Sequence, residues 1–171
     1  PTPLGYRRGL KGRAIVSVGR RGKYLLFALD GKRELVVHLG MTGSLILSSR
    51  GGARPRHTHI VFHLEDGRDL LYVDPRTFGE TALLRRGDRR PMRGLDRMGP
   101  EPLEDGFTCE CLASALRGTC RVKSALLDQS RVAGIGNIYS DEALHRAGVS
   151  PLRRLDTLSP TEIERIHSAV R

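Results

Sequence analysis

Hydrophobic positions in the first half of the chain fall in short runs, broken at near-regular intervals. Residues 13–18 (RAIVSV), 24–29 (YLLFAL), 34–39 (ELVVHL), 44–47 (SLIL), 59–64 (HIVFHL) and 69–73 (DLLYV) are rich in Val, Ile, Leu and aromatic side chains. Gly, Asp, Pro or Arg bound each run, as at Gly22, Gly40 and Gly51-Gly52. Runs of this length between turn residues predict strands, and their spacing predicts an antiparallel sandwich or barrel. Asp30-Gly31 and Asp66-Gly67 are expected hairpin turns, because Gly takes up positive φ without steric cost.

After about residue 85 the pattern changes. Residues 86–102 are rich in Arg, Gly, Pro and Asp and read as a linker. Beyond them the apolar spacing turns helical, which predicts helices over 108–116, 122–127, 138–147 and 160–170. Thr108 and Ser159 are expected N-caps; Ser159, followed by Pro160 and then Glu162, fits a capping box. Gly118 and Gly148 are expected helix stops. The fold class is therefore α+β: a β-sandwich part over 1–88, a linker over 89–106 and a helical domain over 107–171.

Composition narrows the function. A chain of 171 residues, 39% hydrophobic and 28% charged, can bury a core and is not globally disordered. Its net charge of +10 fits a polyanionic partner, with nucleic acid ahead of an anionic membrane, but an arginine-rich solvated surface would carry the same charge. Cys109, Cys111 and Cys120 form neither a disulfide framework nor a CxxC pair for zinc, so thiols in a reducing compartment and no metal are expected. No apolar run approaches the roughly 20 residues that span a bilayer, and no secretory segment opens the chain. A cytoplasmic protein with no membrane contact is expected.

Four segments carry candidate chemistry. Arg20-Arg21-Gly22-Lys23-Tyr24 is a basic cluster opening an apolar strand, or simply a solvated hairpin corner. In His38-Leu39-Gly40-Met41-Thr42-Gly43, glycines break the strand around Met41, which is either a core plug or an exposed wedge able to slide between bases. Asp74-Pro75-Arg76-Thr77-Phe78-Gly79 brackets a guanidinium and an aromatic ring in one turn. Arg can read a base edge while Phe stacks, or Phe78 can be core and Arg76 a surface charge. Gly134-Ile135-Gly136-Asn137 runs into a helix, exposing backbone N–H groups where a phosphate can bind, although a lone G-x-G is weak evidence. Lys123 sits on the helix before it, where a lysine is ordinarily a solvated charge.

In order, RRGKYLLF, HLGMTGSL, YVDPRTFG, MGPEPL and LLDQSRVAGIGNIYSDEALHRAGVSP resemble the motifs of the formamidopyrimidine-DNA glycosylase family, which includes the endonuclease VIII-like enzymes. The resemblance runs from about Gly12 to Pro151, and the AGIGNIY stretch resembles the family's helix–two-turn–helix element. It implies a base-excision repair glycosylase and AP lyase working by base flipping and Schiff-base chemistry. Arg76 fits the formamidopyrimidine branch, so the implied partner is double-stranded DNA holding an oxidised purine, such as 8-oxoguanine, or an abasic site, bound by a monomer.

Residue by residue, Lys23 matches the cleft lysine that assists β-elimination, and His38 matches a phosphate-contacting histidine. Met41, Arg76 and Phe78 match the residues that fill the gap left by the flipped nucleotide, with Arg76 facing the orphaned base. His57 matches a DNA-lining histidine, and Lys123 and Asn137 match backbone-gripping residues.

The family's attacking amine belongs to an N-terminal proline followed by glutamate, whereas here Pro1 precedes Thr2. Pro1 is accordingly read as the first residue after a truncation, not as the nucleophile. The family's four-cysteine zinc finger has no counterpart after Arg171, so no cofactor is expected in this chain. Two functions follow: a glycosylase/lyase of which this is a part, or a catalytically inactive DNA-binding fragment or paralogue. A ribosomal-type basic protein would leave Met41 and Arg76 unexplained.

Overall fold

In the computed structural model, which describes residues 3–88, 90, 92 and 94–171, the chain divides into two units, Pro1–Asp88 and Arg89–Arg171. Pro1, and Arg89, Pro91 and Arg93 of the expected linker, lie outside the described residues.

The first unit begins with helix α1 (Pro3–Leu10), followed by strands β1 (Ile15–Arg21), β2 (Tyr24–Leu29), β3 (Arg33–His38), β4 (Ser44–Ser49), β5 (Thr58–His63), β6 (Arg68–Val73) and β7 (Glu80–Arg85). They form two antiparallel sheets, ordered β1-β2-β3-β7 and β4-β6-β5. Alternate residues of the central strands, Phe27 and Leu29 with Leu35 and Val37, join Leu83 and meet Tyr72, Leu45, Ile60 and Phe62 of the other sheet in one core. Each such large side chain contributes about 1.5–3 kcal/mol on burial. The result is a sandwich. Leu26, Ala28 and Val36, on the opposite face of the same strands, are buried as well, which is why YLLFAL reads as a continuous apolar run rather than an alternation.

The β1–β2 connection is a two-residue turn of Gly22, at φ 53°, and Lys23. Glycine at the first central position is the type II′ preference. Asp30-Gly31 and Asp66-Gly67 do lie in turns, with Gly31 at φ 61° and Gly67 at φ 82°. Helix α1 and strand β7 were not expected from the pattern. The α1 segment, PLGYRRGL, has one Pro and two Gly in eight residues, a poor helix former held by tertiary contact. Its Tyr6 hydroxyl donates to Thr81 Oγ1 of β7 at 3.0 Å, and Leu10 joins the core.

In the second unit, helices α2 (Cys109–Ala115), α3 (Val122–Leu127), α4 (Asn137–Ala147) and α5 (Pro160–Val170) enclose a core of Phe107, Leu112, Val122, Leu126, Leu144 and Ile166, among others. Thr108 caps α2 through Cys111 N–H, and Ser159 and Glu162 form the expected capping box on α5. Gly148 ends α4 in the left-handed region at φ 64°. Gly118 does not end α2, whose C-cap is Leu116. Within the stretch read as a linker, Met92 and Leu95 are buried, and residues Leu95–Arg97 form a 3-10 turn. The MGPEPL motif packs within the second unit: Gly99 N–H donates to Gln129 O at 2.9 Å, and Pro100 O accepts from Ala133 N–H at 3.0 Å. The three cysteines are free.

Candidate nucleic-acid interface

The Met41 loop and the 76–78 turn, far apart in sequence, are neighbours in the sandwich. Leu39 O accepts from Gly43 N–H at 2.8 Å, closing a tight loop around Met41. Gly40, at φ 61°, packs against the other turn so closely that a Cβ there would stand 2.7 Å from Gly79 N. Reciprocally, a Cβ on Gly79 would stand 2.6 Å from His38 O. The two glycines allow the backbones to touch, and their tips then project together. Met41 is 72% exposed and Phe78 62% exposed, so neither is a core residue, and the core-packing alternative for each is overturned. Arg76, also exposed, reaches Met41 Sδ with its Nη1 at 3.9 Å. Between Arg76 and Phe78, Thr77 sits at φ 56°, a strained conformation for a β-branched residue.

Lys23 and His38 gather at the neighbouring end of β2 and β3. His38 pairs across the sheet with Tyr24 on one side and Glu80 on the other, and its ring lies 4.7 Å from that of Tyr24 between centroids. Gly40 N–H donates to His38 Nδ1 at 3.2 Å, which leaves the ring proton on Nε2. Burial pushes His38 below the ordinary imidazole value; the Lys23 charge acts the same way and Glu80 opposes it. Burial also pushes the Lys23 ammonium down, enlarging the share of free amine that proton transfer or attack on carbon requires. His57 lies at φ 67° beside the same junction, its carbonyl accepting from Asp74 N–H at 3.1 Å. His59, not singled out from sequence, bonds Asp74 O through Nε2 at 2.8 Å.

Six of the eight candidate residues, Lys23, His38, Met41, His57, Arg76 and Phe78, thus belong to one continuous set of contacts in the first unit. Sequence reasoning missed the group at its centre. Asp74 is fully buried, and the N–H of Gly79, foremost among its donors, holds its carboxyl below the usual carboxylate range. The signal available was an aspartate directly after an apolar strand and before a Pro-Arg turn.

Lys123 and Asn137 lie in the second unit. The Lys123 ammonium is paired with Asp141, 2.7 Å from one carboxylate oxygen and 2.8 Å from the other. Asn137 opens α4 behind Gly136, which offers no side-chain cap. Asn137, Ile138 and Tyr139 are all exposed at this end, Ile138 at 73% and Tyr139 at 74%. The preceding Gly-rich turn is ordered by Gln129, another residue the sequence did not single out. Its Nε2 donates to Leu127 O and Ile135 O at 3.0 and 2.8 Å, and its Oε1 accepts from Gly134 N–H at 2.9 Å. Both ends of the amide are used, so the turn leading into α4 is set by one side chain.

Among the described residues no cluster of His, Cys, Asp or Glu is placed to hold a metal ion, and no helix is long and apolar enough to cross a membrane. The three cysteines present, Cys109, Cys111 and Cys120, do not fit a four-cysteine zinc site.

Comparison with known proteins gives matches over both units. Residues 1–81 match the family model of the formamidopyrimidine-DNA glycosylase N-terminal domain, and residues 98–171 match that of the formamidopyrimidine-DNA glycosylase H2TH domain. The formamidopyrimidine-DNA glycosylase of Symbiobacterium thermophilum is 47% identical over 172 residues, covering 100% of this chain and 56% of the relative. That of Moorella thermoacetica is 44% identical over 171 residues, covering 99% of this chain and 62% of the relative. The chain therefore spans little more than half the length of these curated relatives. Among solved structures, the MutM (Fpg) protein of Thermus thermophilus superposes with a TM-score of 0.86 at 46% identity, over 95% of this chain and 59% of that one. The Lactococcus lactis Fpg in complex with DNA containing an abasic site gives 0.88 at 32% identity, over 98% of this chain and 62% of that one.

Proposed function

The chain belongs to the formamidopyrimidine-DNA glycosylase family, and from that premise we propose that it is the DNA-gripping part of a base-excision repair glycosylase and AP lyase acting on oxidised purines in duplex DNA. One observation carries the reading: an exposed methionine, an exposed phenylalanine and an arginine stand together on two loops whose backbones touch. Exposed apolar side chains cost solvation unless a partner covers them. The stack of a duplex from which one nucleotide has been turned out is a partner of the right chemistry, because the vacated space is apolar and flat.

Each residue then has a task. Met41 and Phe78 enter the gap, and Arg76 offers N–H donors to the edge of the orphaned base. His38, neutral with its proton on Nε2, donates to a phosphate oxygen. His57 lines the DNA path, and Lys123 and Asn137 hold the backbone from the second unit. Lys23, its amine made more available by burial, takes up a proton during β-elimination at an abasic site. The net charge of +10 supplies the long-range attraction to DNA. The place of action is the bacterial cytoplasm, on chromosomal DNA, and the working form is a monomer.

The resemblance assigns the Schiff base to an N-terminal proline backed by glutamate, and positions 1 and 2 here are Pro1 and Thr2. The 171 residues alone are accordingly expected to prefer a duplex with an abasic-site analogue over the intact duplex, yet to yield no borohydride-trapped adduct. Equal affinity for the two duplexes would overturn the repair reading. A trapped adduct would place an attacking amine within these residues and overturn that expectation.

A further inference from the structure

We propose that Asp74 is a positioning residue coupling the Met41 loop to the 76–78 turn, so that filling the gap and reading the opposite base rise and fall together. The inference rests on the reading of those loops as the elements that enter DNA.

An aspartate before a turn ordinarily serves its own loop, accepting from the N–H two residues on. Asp74 does this: Oδ1 accepts from Arg76 N–H at 3.3 Å. The same oxygen also accepts from Thr42 Oγ1 at 2.9 Å, across 32 positions of sequence. Oδ2 accepts from Gly79 N–H at 2.8 Å and from the Tyr72 hydroxyl at 3.4 Å. One carboxylate therefore holds both ends of the turn carrying Arg76 and Phe78, and also the residue next to Met41. It is 0% exposed, and no cation pairs with it among the described residues.

A buried carboxylate without a counter-ion is tolerated only where donors converge on it. All four partners here are donors, so a group that only accepts suits the site and an amide does not. In Asp74→Asn the new NH2 would face either Arg76 N–H or Gly79 N–H, and a backbone N–H cannot turn around. The Thr42 arm is separable from this. Thr42→Val removes only the hydroxyl that ties the Met41 loop to the carboxylate and leaves the turn 74–79 intact.

The test uses the full chain and two duplexes: one with a stable abasic-site analogue opposite 2-aminopurine, the other undamaged. Thr42→Val is expected to reduce the preference for the abasic duplex by about tenfold, the loss of one hydrogen bond to a charged acceptor. It should also shrink the 2-aminopurine fluorescence change that reports unstacking of the opposite base. Binding to the undamaged duplex should stay as in the parent, the melting temperature should fall by a few degrees as the buried carboxylate loses one donor, and Thr42→Ser should restore both preference and stability. Asp74→Asn should lose the preference together with the discrimination due to Arg76. Met41→Ala separates the coupling from the insertion on which it rests. If Met41→Ala loses the preference while Thr42→Val keeps both preference and fluorescence change, the coupling is wrong. If Met41→Ala itself keeps the preference, the insertion reading fails, and the coupling with it.

Discussion

The Arg76 guanidinium stands 3.9 Å from the sulfur of Met41, across 35 positions of sequence. A thioether is a weak acceptor, so the side chain is parked rather than anchored, while the backbone beneath it is fixed through Asp74. Arg76→Ala is expected to remove discrimination among the four bases opposite an abasic-site analogue. The loss should be about 1–3 kcal/mol, the value of a base-edge contact, with affinity for undamaged DNA unchanged. Competition binding with C, A, G and T opposite the analogue measures it. A uniform loss on every duplex would make Arg76 a phosphate contact instead.

His38 gives the fold an acid-sensitive point. Burial holds it below the usual imidazole value, with Lys23 acting in the same direction and Glu80 against it. As pH falls, the unfolded chain takes up this proton first, so stability declines from about pH 6.5 down to the lower folded value and then levels off. Protonation also puts a proton on Nδ1, where Gly40 N–H now donates. Glu80→Gln should lower the His38 titration midpoint further, as read by ring-proton NMR. An unmoved midpoint would remove Glu80 from the account.

Lys123 is already engaged by Asp141 within the fold. The carboxylate is about half exposed, and pairs of this kind contribute at most about 1 kcal/mol, so Asp141→Asn should scarcely move the Tm. It should tighten DNA binding and steepen the slope of log K against log salt by up to about one, as one more phosphate contact becomes available. On a Lys123→Ala background the gain should disappear. Its persistence there would show that Asp141 acts by general repulsion rather than through Lys123.

Gly99 is the rigid point of the MGPEPL motif. A Cβ at this position would lie 2.4 Å from Arg131 O, a backbone atom that cannot swing aside. Gly99→Ala should destabilise the second unit by about 1–3 kcal/mol or more, visible as a lower Tm in thermal unfolding. An unchanged Tm would mean that the loop 129–133 yields easily.

Strands β1 to β6 and the four helices of the second unit were legible because their apolar runs and caps are local signals: Ser159 with Glu162, or Gly148, states its role within a few residues. Strand β7 was not, because ETALLR is a short run straight after an irregular turn, and pairing with β3 decides its state. Helix α1 contradicts its own propensity and is held by contacts of Tyr6 and Leu10 with the sandwich. Within the candidate site, Met41, Arg76 and Phe78 could be named from motif resemblance. Whether they were exposed could not, since the same residue types fill cores. Asp74 and Gln129 escaped notice for another reason. Their importance lies in the number of donors and acceptors that converge on one side chain, and convergence is a property of the folded chain.

The contact between Gly40 and Gly79 also separates what can vary from what cannot. Since neither position tolerates even a methyl group, the two backbones form a fixed chassis, and novelty is confined to the tips they carry. Exchanging the side chains at Met41, Arg76 and Phe78 should therefore retune which lesions and which opposite bases are accepted, leaving the sandwich beneath undisturbed. Insertions between these tips and their glycines should be the changes that lineages, and protein engineers, fail to make.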